Sequence, residues 1–506
     1  MLANKTIVLG ITGGIAAYKA ADIASKLSQA GARVEVVMTE SATKFIAPLT
    51  LRSLTGRPVV TDMFELASEF SIEHIALAEA ADVVAIAPAT ASLIAKLAAG
   101  ISDDMLTCTV LATKAPVIVA PAMNVNMFQN SITQDNLNKL KARGFTIVDP
   151  AYGRLASGKI GLGRLAETET IIATIQQVLG RSGDLPGKRI VVTAGGTQEP
   201  IDPVRHIGNR SSGKMGYAMA EAARDRGATV SLITAPTSLP QPVGMEVVHI
   251  KTAAELKEAV AKAVSQADAL IMAAAVADYQ PRSVAKAKIK KEAPSLTLEL
   301  IRTPDILTEV KGNFLRVGFA AESQDIVTNA RQKLEKKQLD IIIANDITDK
   351  DSGFGVDTNK VTLIDRNGKV ESLPLLTKRE VADKILDRVV ELLRKPKFPS
   401  IEIEVTPSAL RYGLIPVHSE YRLSFPGYDE PFTLITDIGD ITTHVTGAPE
   451  GTLMGDPYAG TRIQSNLKPW YRKHAELKAG DKLLVEIIEP DKKYRIEILK
   501  EQKEVV

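Results

Sequence analysis

The residues between Gly195 and Gly216 have the types and spacing to hold a phosphate. An apolar stretch, Arg189 to Thr193, runs into them, and an Ala-rich helical stretch, Met215 to Arg226, runs out. Glycines let the backbone approach an anion there. Ser211-Ser212-Gly213-Lys214 supplies two hydroxyls and a charge, and the free N–H groups of the following helix point at the same place. Strand-to-helix loops usually run to roughly two to six residues, so a loop this long points to function. It is not a Walker loop, because its hydroxyls precede the Gly-Lys pair.

A second candidate lies near the start. The apolar run Thr6 to Gly10 leads into Thr12-Gly13-Gly14-Ile15. The turn lacks the Gly-x-Gly-x-x-Gly spacing of a dinucleotide site. Thr39, not an acidic residue, ends the next strand, Val34 to Met38. A mononucleotide or flavin phosphate suits this pattern better, with strand-end hydroxyls facing it. Pro88-Ala89-Thr90-Ala91-Ser92 follows another apolar strand, and Pro121 to Phe128 follows the next. Tyr152 to Arg164 contains four glycines, the composition of a mobile flap.

The elements needed to position these loops are alternating strands and helices. Ile7-Val8-Leu9-Gly10 with Gly13-Gly14 is echoed by Ile190-Val191-Val192-Thr193 with Gly195-Gly196, and Ala81-Asp82-Val83-Val84 by Ala267-Asp268-Ala269-Leu270. The fold class is therefore α/β: two consecutive Rossmann-like or flavodoxin-like parallel-sheet domains, at 1–180 and 188–395, joined by a linker at 181–187. In such sheets ligands bind beyond the carboxyl ends of the strands. After the second linker the texture changes. Residues 400–506 show short alternating strands and many turns, a small mostly-β domain.

The 506 residues carry a net charge of +2, which points globally to neither nucleic acid nor a membrane surface. One cysteine, Cys108, excludes an internal disulfide and fits the cytoplasm; it lies in an apolar helical stretch and is expected in the core. Neither a transmembrane span nor a signal peptide is expected, since Met1-Leu2-Ala3-Asn4-Lys5 leads straight into a strand.

Several motifs together resemble a known family, the bifunctional enzymes of coenzyme A biosynthesis that fuse phosphopantothenoylcysteine decarboxylase to phosphopantothenate–cysteine ligase. Pro121-Ala122-Met123-Asn124-Val125-Asn126-Met127 is similar to the family's Pro-x-Met-Asn-x-x-Met signature. Ile72-Glu73-His74-Ile75 matches the segment of its catalytic histidine. Ile207 to Gly216, and Ala274 to Tyr279 followed by Lys288-Ile289-Lys290-Lys291, resemble its ligase motifs. All stand in the family's order within residues 1 to about 395.

The resemblance implies an FMN site in the first domain, in trimers with sites between subunits. Gly13, Gly14, Ile15, Thr39, Thr90, Ser92 and Met123 would hold the cofactor. His74 would be a base, and Asn124 would hydrogen-bond the substrate carboxylate. Flavin oxidation of the substrate thiol creates an electron sink, CO2 leaves, and the enethiolate is then reduced and protonated. Two positions depart from the family. Ser157 stands where its flap has the cysteine held to protonate the enethiolate, so the reductive half-step is expected to be slow or lost. Ser92 replaces an asparagine.

For the second domain the resemblance implies CTP-dependent ligation. The carboxylate of 4′-phosphopantothenate attacks the α-phosphate of CTP, and the amine of cysteine then displaces CMP from the acyl-cytidylate. Ser211, Ser212, Gly213, Lys214, Ala274, Ala275, Asp278, Lys288 and Phe319 would bind the nucleotide. Asp278 would stand near Mg²⁺, Asn209 would turn over the acyl-cytidylate, and Arg205 or Arg210 would take the pantothenate phosphate. The homo-oligomer would combine trimeric decarboxylase and dimeric ligase contacts. Two alternatives stay open: a ligase with an impaired or regulatory decarboxylase-like domain, and a nicotinamide oxidoreductase, which would need a dinucleotide fingerprint that both turns lack.

Residues 400–506 lie outside the resemblance. Arg462, Lys468, Arg472, Lys473, Lys478 and Lys482 cluster around Trp470 and Tyr471, and a basic stripe with aromatics can face nucleic acid. The segment has 13 basic against 17 acidic side chains, which favours an accessory or oligomerisation role.

Overall fold

Thr6–Ile11 (β1) buries every side chain but the first. A strand covered on both faces belongs inside a parallel sheet flanked by helices, and that is where the computed structural model has it. The structure describes residues 2–63, 73–290, 296–322, 326–346, 353, 355–394, 400–464 and 466–499. Arg33–Met38 (β2), Val59–Val60 (β3), Val83–Ala89 (β4), Val117–Pro121 (β5) and Thr146–Ile147 (β6) complete a sheet of order β3-β2-β1-β4-β5-β6. All its pairs are parallel. This is the doubly wound order, with its switch point between β1 and β4. Helix α1 (Lys19–Gln29) buries Ala20, Ile23, Ala24 and Leu27, the i, i+3, i+4, i+7 stripe of an amphipathic helix. Each Ile or Leu so buried contributes about 1.5–3 kcal/mol before the entropy of ordering is counted. Helix α2 (Ala91–Ala99) follows β4, and helix α3 (Thr168–Gly180) closes the domain.

The stretch expected to be a mobile flap is an antiparallel ribbon, Ala151–Arg154 (β7) against Ile160–Arg164 (β8). Its glycines read as loop by composition, yet one is there for close packing. A Cβ on Gly163, at φ +142°, would lie 2.3 Å from the Met123 carbonyl oxygen.

The second sheet is built from Arg189–Ala194 (β9), then Thr229–Thr234, Glu246–His249, Ala269–Met272, Leu315–Glu322 and Ile341–Asp346, all parallel, with Val361–Asp365 and Val370–Ser372 added antiparallel at one edge. The two sheets therefore share a parallel core and differ at that edge. The long loop after β9 is partly regular: Gln198–Pro200 pairs antiparallel with His206–Gly208. Helix α4 (Lys214–Asp225) then packs back on β9. Helix α5 (Lys378–Arg394) buries Val381, Ala382, Ile385, Leu386 and Val389.

Residues 390–506 form a second compact unit. Its described strands make a seven-stranded mixed sheet, wrapped on one core that includes Ile403, Val405, Phe432, Leu483, Val485, Tyr494 and Trp470. Trp470 is 1% exposed, and the Tyr471 hydroxyl donates to the Leu414 carbonyl at 2.7 Å. Both rings are core, and Lys473 is paired with Asp437 at 2.8 Å. The stripe that the sequence offered to nucleic acid thus has no free aromatic face at Trp470 or Tyr471. Among the described residues no helix is long and apolar enough to cross a membrane.

Candidate functional site

The carboxyl ends of β1, β4 and β5 open into a cavity of about 720 Å³, ample for a small-molecule ligand. Gly13, Gly14 and Ile15 line it from the turn after β1, Thr90 from the turn after β4, and Met123 and Asn124 from the turn after β5. Two of those turns are locked together. Thr12 Oγ1 donates to the Pro88 carbonyl at 2.8 Å and accepts from the Thr90 N–H at 3.0 Å. Thr90 then caps α2 through the Leu93 N–H at 3.4 Å.

Asn124 Oδ1 accepts from the Asn126 N–H at 2.9 Å, capping the short helix Val125–Gln129. That bond fixes the amide, and its Nδ2 donates to Ser157 Oγ at 3.4 Å. Ser157, in the turn of the β7–β8 ribbon, lines the cavity from the other side. Two residues 33 apart in sequence, each singled out by its motif, therefore touch across the space where a ligand would lie.

Other expected residues stand elsewhere. His74 is half-buried on the helix Glu73–Ala80 and is absent from the lining of its own chain's cavity. Thr39 and Ser92 do not line it either. Thr39 Oγ1 is nonetheless buried with no hydrogen-bond partner, as is Arg164 Nε at the cavity wall. Orphaned polar atoms of this kind want a partner, and at the cavity itself a glycine turn, the Thr90 hydroxyl and the unspent Arg164 nitrogen fit a flavin phosphate. Sequence reasoning missed Lys19, Arg154 and Arg164 as lining cations; the charges beside the ribbon glycines were the available signal. Cys108 is half-buried rather than core, in contact with Met63 Sδ at 3.5 Å and the Ser102 carbonyl at 3.4 Å. It does not line the cavity.

A second cavity, about 550 Å³, opens at the carboxyl end of Ala269–Met272, beside Phe319 of the neighbouring strand Leu315–Glu322. Ala274, Asp278 and Phe319 line it. The long loop is stitched to the same strand end: the Ala275 N–H donates to the Gly195 carbonyl at 2.8 Å, and Asn209 Nδ2 to the Val276 carbonyl at 2.8 Å. A Cβ on Gly196 would meet the Asn209 carbonyl oxygen at 2.6 Å, so only glycine allows this approach. Tyr279, Arg302, Asp305 and Lys337 also line the cavity. Of these, the last three come from segments that no motif had marked.

Six residues expected at the nucleotide do not line this cavity: Ser211, Ser212, Gly213, Lys214, Ala275 and Lys288. Ser211 Oγ accepts from the Gly213 N–H at 3.3 Å, and Gly213 is the left-handed N-cap of α4. Lys214, offered as phosphate charge, is spent instead on Asp357 at 2.7 Å and the Gly355 carbonyl at 3.0 Å. That hydrogen bond holds the Asp357 carboxyl below its ordinary range. The two arginines also separate. Arg205 gives its fork to Asp202, whereas Arg210 is exposed and has no hydrogen bond or ion pair among the described residues. Lys288, outside the cavity lining, is likewise exposed and unpaired among them. No cluster of three or more His, Cys, Asp or Glu able to hold a metal occurs among the described residues. Asp278 and Asp305 at the cavity would suffice for a magnesium carried in by a triphosphate, which needs only one or two carboxylates.

Residues 1–180 match the family profile described as Flavoprotein, and residues 185–393 the one described as DNA/pantothenate metabolism flavoprotein C-terminal domain. The chain is 47% identical over 401 residues to the coenzyme A biosynthesis bifunctional protein CoaBC of Bacillus subtilis, covering 78% of this chain and 99% of that one. It is 45% identical over 398 residues to the protein of the same name from Vibrio vulnificus, covering 78% and 99%. Among solved structures, the C-terminal domain of a CoaBC protein is similar at 42% identity, over 42% of this chain and 98% of that one, with a TM-score of 0.36.

Proposed function

We propose, for a chain that belongs to the CoaBC family of coenzyme A biosynthesis bifunctional proteins, that its two α/β domains carry out consecutive reactions. The second domain joins 4′-phosphopantothenate to cysteine at the expense of CTP, and the first decarboxylates the 4′-phosphopantothenoylcysteine so made, in the cytoplasm. The observation that carries this reading is the pair of separate cavities, each at the carboxyl ends of strands of its own sheet and each lined by residues of a different motif.

In the ligase, Ala274 and Ala275 bring backbone close to the nucleotide, and Phe319 offers it an apolar wall. Asp278 holds the magnesium of Mg·CTP, joined by Asp305 once the triphosphate draws away Lys337, its ion-pair partner at 3.3 Å. Lys288, unpaired among the described residues, meets triphosphate charge. Asn209, tied to the Val276 carbonyl, stands beside the same strand end and serves the acyl-cytidylate. Arg210, unlike Arg205, has its fork free for the pantothenate phosphate.

In the decarboxylase, Gly13, Gly14, Ile15, Thr90 and Met123 cradle FMN. Bound FMN supplies the two-electron oxidation that lets the cysteine carboxylate leave as CO2. Asn124 holds that carboxylate. His74 takes the thiol proton, and since it lies off its own chain's cavity, the site it serves is completed by a second copy of the chain in a trimer. Ser157 hydrogen-bonds Asn124 and orients it. As an acid, however, a hydroxyl is far weaker than a thiol, whose pKa is about 8.5, so the enethiol product is reduced slowly or not at all. The same substitution favours a second reading, a working ligase joined to an impaired or regulatory flavin domain.

The purified protein is expected to be yellow with releasable FMN. CMP release is expected to require CTP, 4′-phosphopantothenate and cysteine together. A colourless protein that takes up no FMN would count against the first half, and CMP release without cysteine against the second.

A further inference from the structure

The turn Ile201 to Arg205 grips the segment that carries Lys288. The Asp202 side chain is fully buried. Its Oδ1 accepts from the N–H groups of Val204 and Arg205, each at 2.9 Å. Its Oδ2 accepts from Arg205 Nε at 3.0 Å, from an Arg205 terminal nitrogen at 2.5 Å, and from the N–H of Ile289 at 3.1 Å. The same terminal nitrogen of Arg205 donates to the Ile289 carbonyl at 3.0 Å. Both polar backbone groups of Ile289 are thus held by one ion pair from a distant part of the chain. A third tie, from the Ala285 N–H to the Ile201 carbonyl at 3.0 Å, anchors the start of the segment. The Arg205 guanidinium, with the backbone N–H donors, holds the Asp202 carboxyl far below the usual carboxylate range, so it is an anion at any physiological pH.

The bond to the Ile289 N–H lies within the Lys288–Ile289 peptide. A peptide plane is rigid, so fixing that N–H fixes the carbonyl end of Lys288. Lys288 itself is exposed and meets no partner among the described residues. Nothing in its own contacts sets where its ammonium group goes, and the backbone must do so.

We propose that Asp202, acting with Arg205, is the positioning residue for Lys288: the buried carboxylate and the part-exposed guanidinium paired with it clamp Ile289 and thereby aim the lysine at the triphosphate. This rests on the reading of the second domain as a CTP-dependent ligase. It gives Arg205 a task beside phosphate recognition: Nε and one terminal nitrogen are engaged, and its side chain is 44% exposed. Asparagine at 202 keeps the shape but brings an NH2 group where donors now converge. In one orientation the Ile289 N–H and the Arg205 side chain lose their acceptor, in the other the N–H groups of Val204 and Arg205 do, and in both the charge that holds Arg205 is gone.

The test is CMP release by the full-length wild type, D202N, K288Q and the double variant, with hydrogen exchange followed on the same proteins. D202N is expected to lower kcat/KM for CTP about 10- to 100-fold, the size of loss that follows a misplacement near 1 Å. In the K288Q background the same change is expected to cost no more than about threefold, because residues acting as one unit are not additive. Exchange is expected to quicken at residues 285–290 and to stay unchanged in β9. R205Q, which keeps the carboxylate bond to the Ile289 N–H, is expected to fall between wild type and D202N, and it decides the matter should D202N not fold. Equal losses in both backgrounds, or unchanged exchange at 285–290 in D202N, overturn the proposal alone. A wild type that releases no CMP from the three substrates overturns the ligase reading and this proposal with it.

Discussion

Ser157 and Asn124 meet across the first cavity at 3.4 Å, and in the proposed flavin reaction the acid at position 157 decides how far reduction goes. On this account S157C adds an acid to the site without changing its shape. The yield of saturated thiol per CO2 released should rise at least about tenfold, since a thiol ionises far more readily than a hydroxyl; product masses after single turnover check it. H74N should cost decarboxylation about 100-fold or more, the usual worth of a positioned base, while CMP release stays at the wild-type rate. Residue by residue, the sequence told which side chains gather at the strand ends but not which of them are already taken. Asn124, Ser157, Ala274 and Asp278, expected from their motifs, line the two cavities; their roles there are the proposed ones. Lys214 and Arg205 carry the right charge in the right motif, yet each is spent on a carboxylate. For Lys214 that carboxylate is Asp357, 143 positions away, a pairing that only the tertiary fold creates.

Among the elements, the β7–β8 ribbon is the one whose register the site needs most. Gly163 lets it lie against Met123, and G163A would force a Cβ to within 2.3 Å of a backbone oxygen. The ribbon must then lift away from the Asn124 turn. The expected cost is about 1–3 kcal/mol of local strain, read as weaker FMN retention with ligase activity unchanged. Strands and helices of both sheets were readable because burial on both faces and i, i+3, i+4 spacing leave plain patterns. This ribbon and the hairpin Gln198–Pro200 with His206–Gly208 were not. Glycine and proline mark a turn whether or not the flanking residues pair, and pairing depends on what lies beneath.

Across the whole molecule, the two α/β domains span nearly the full length of the family's relatives, and residues 390–506 are a separate compact unit. A chain ended after Arg394 should release CMP within about twofold of the full-length rate, as expected when a unit has its own core. That unit carries a pH-sensitive cluster. Burial pushes the His474 imidazolium down, but hydrogen bonds to Asp437 and Glu476, and their charges, outweigh it and leave the group raised. A raised pKa gives stability that is complete below the unfolded value of about 6.5 and is lost as pH climbs through the folded one. Trp470, the only tryptophan, donates to the same Asp437 at 2.9 Å, so its fluorescence reports on this cluster. The thermal transition it shows should fall as pH rises above about 6.5, and H474Q should flatten that fall. The change of texture after residue 400 was visible in the sequence. That its tryptophan is core was not, because a ring among cations looks the same whether it stacks on a ligand or fills a barrel. The central claim is that two distinct sites act in series, the ligase first and then the flavin site, which stops short of full reduction. Its most direct measurement is the masses of all products formed from 4′-phosphopantothenate, cysteine and Mg·CTP by the FMN-loaded protein. The account predicts CMP, transient 4′-phosphopantothenoylcysteine and then accumulating decarboxylated enethiol; no ligated product, or clean 4′-phosphopantetheine at the rate of ligation, would contradict it.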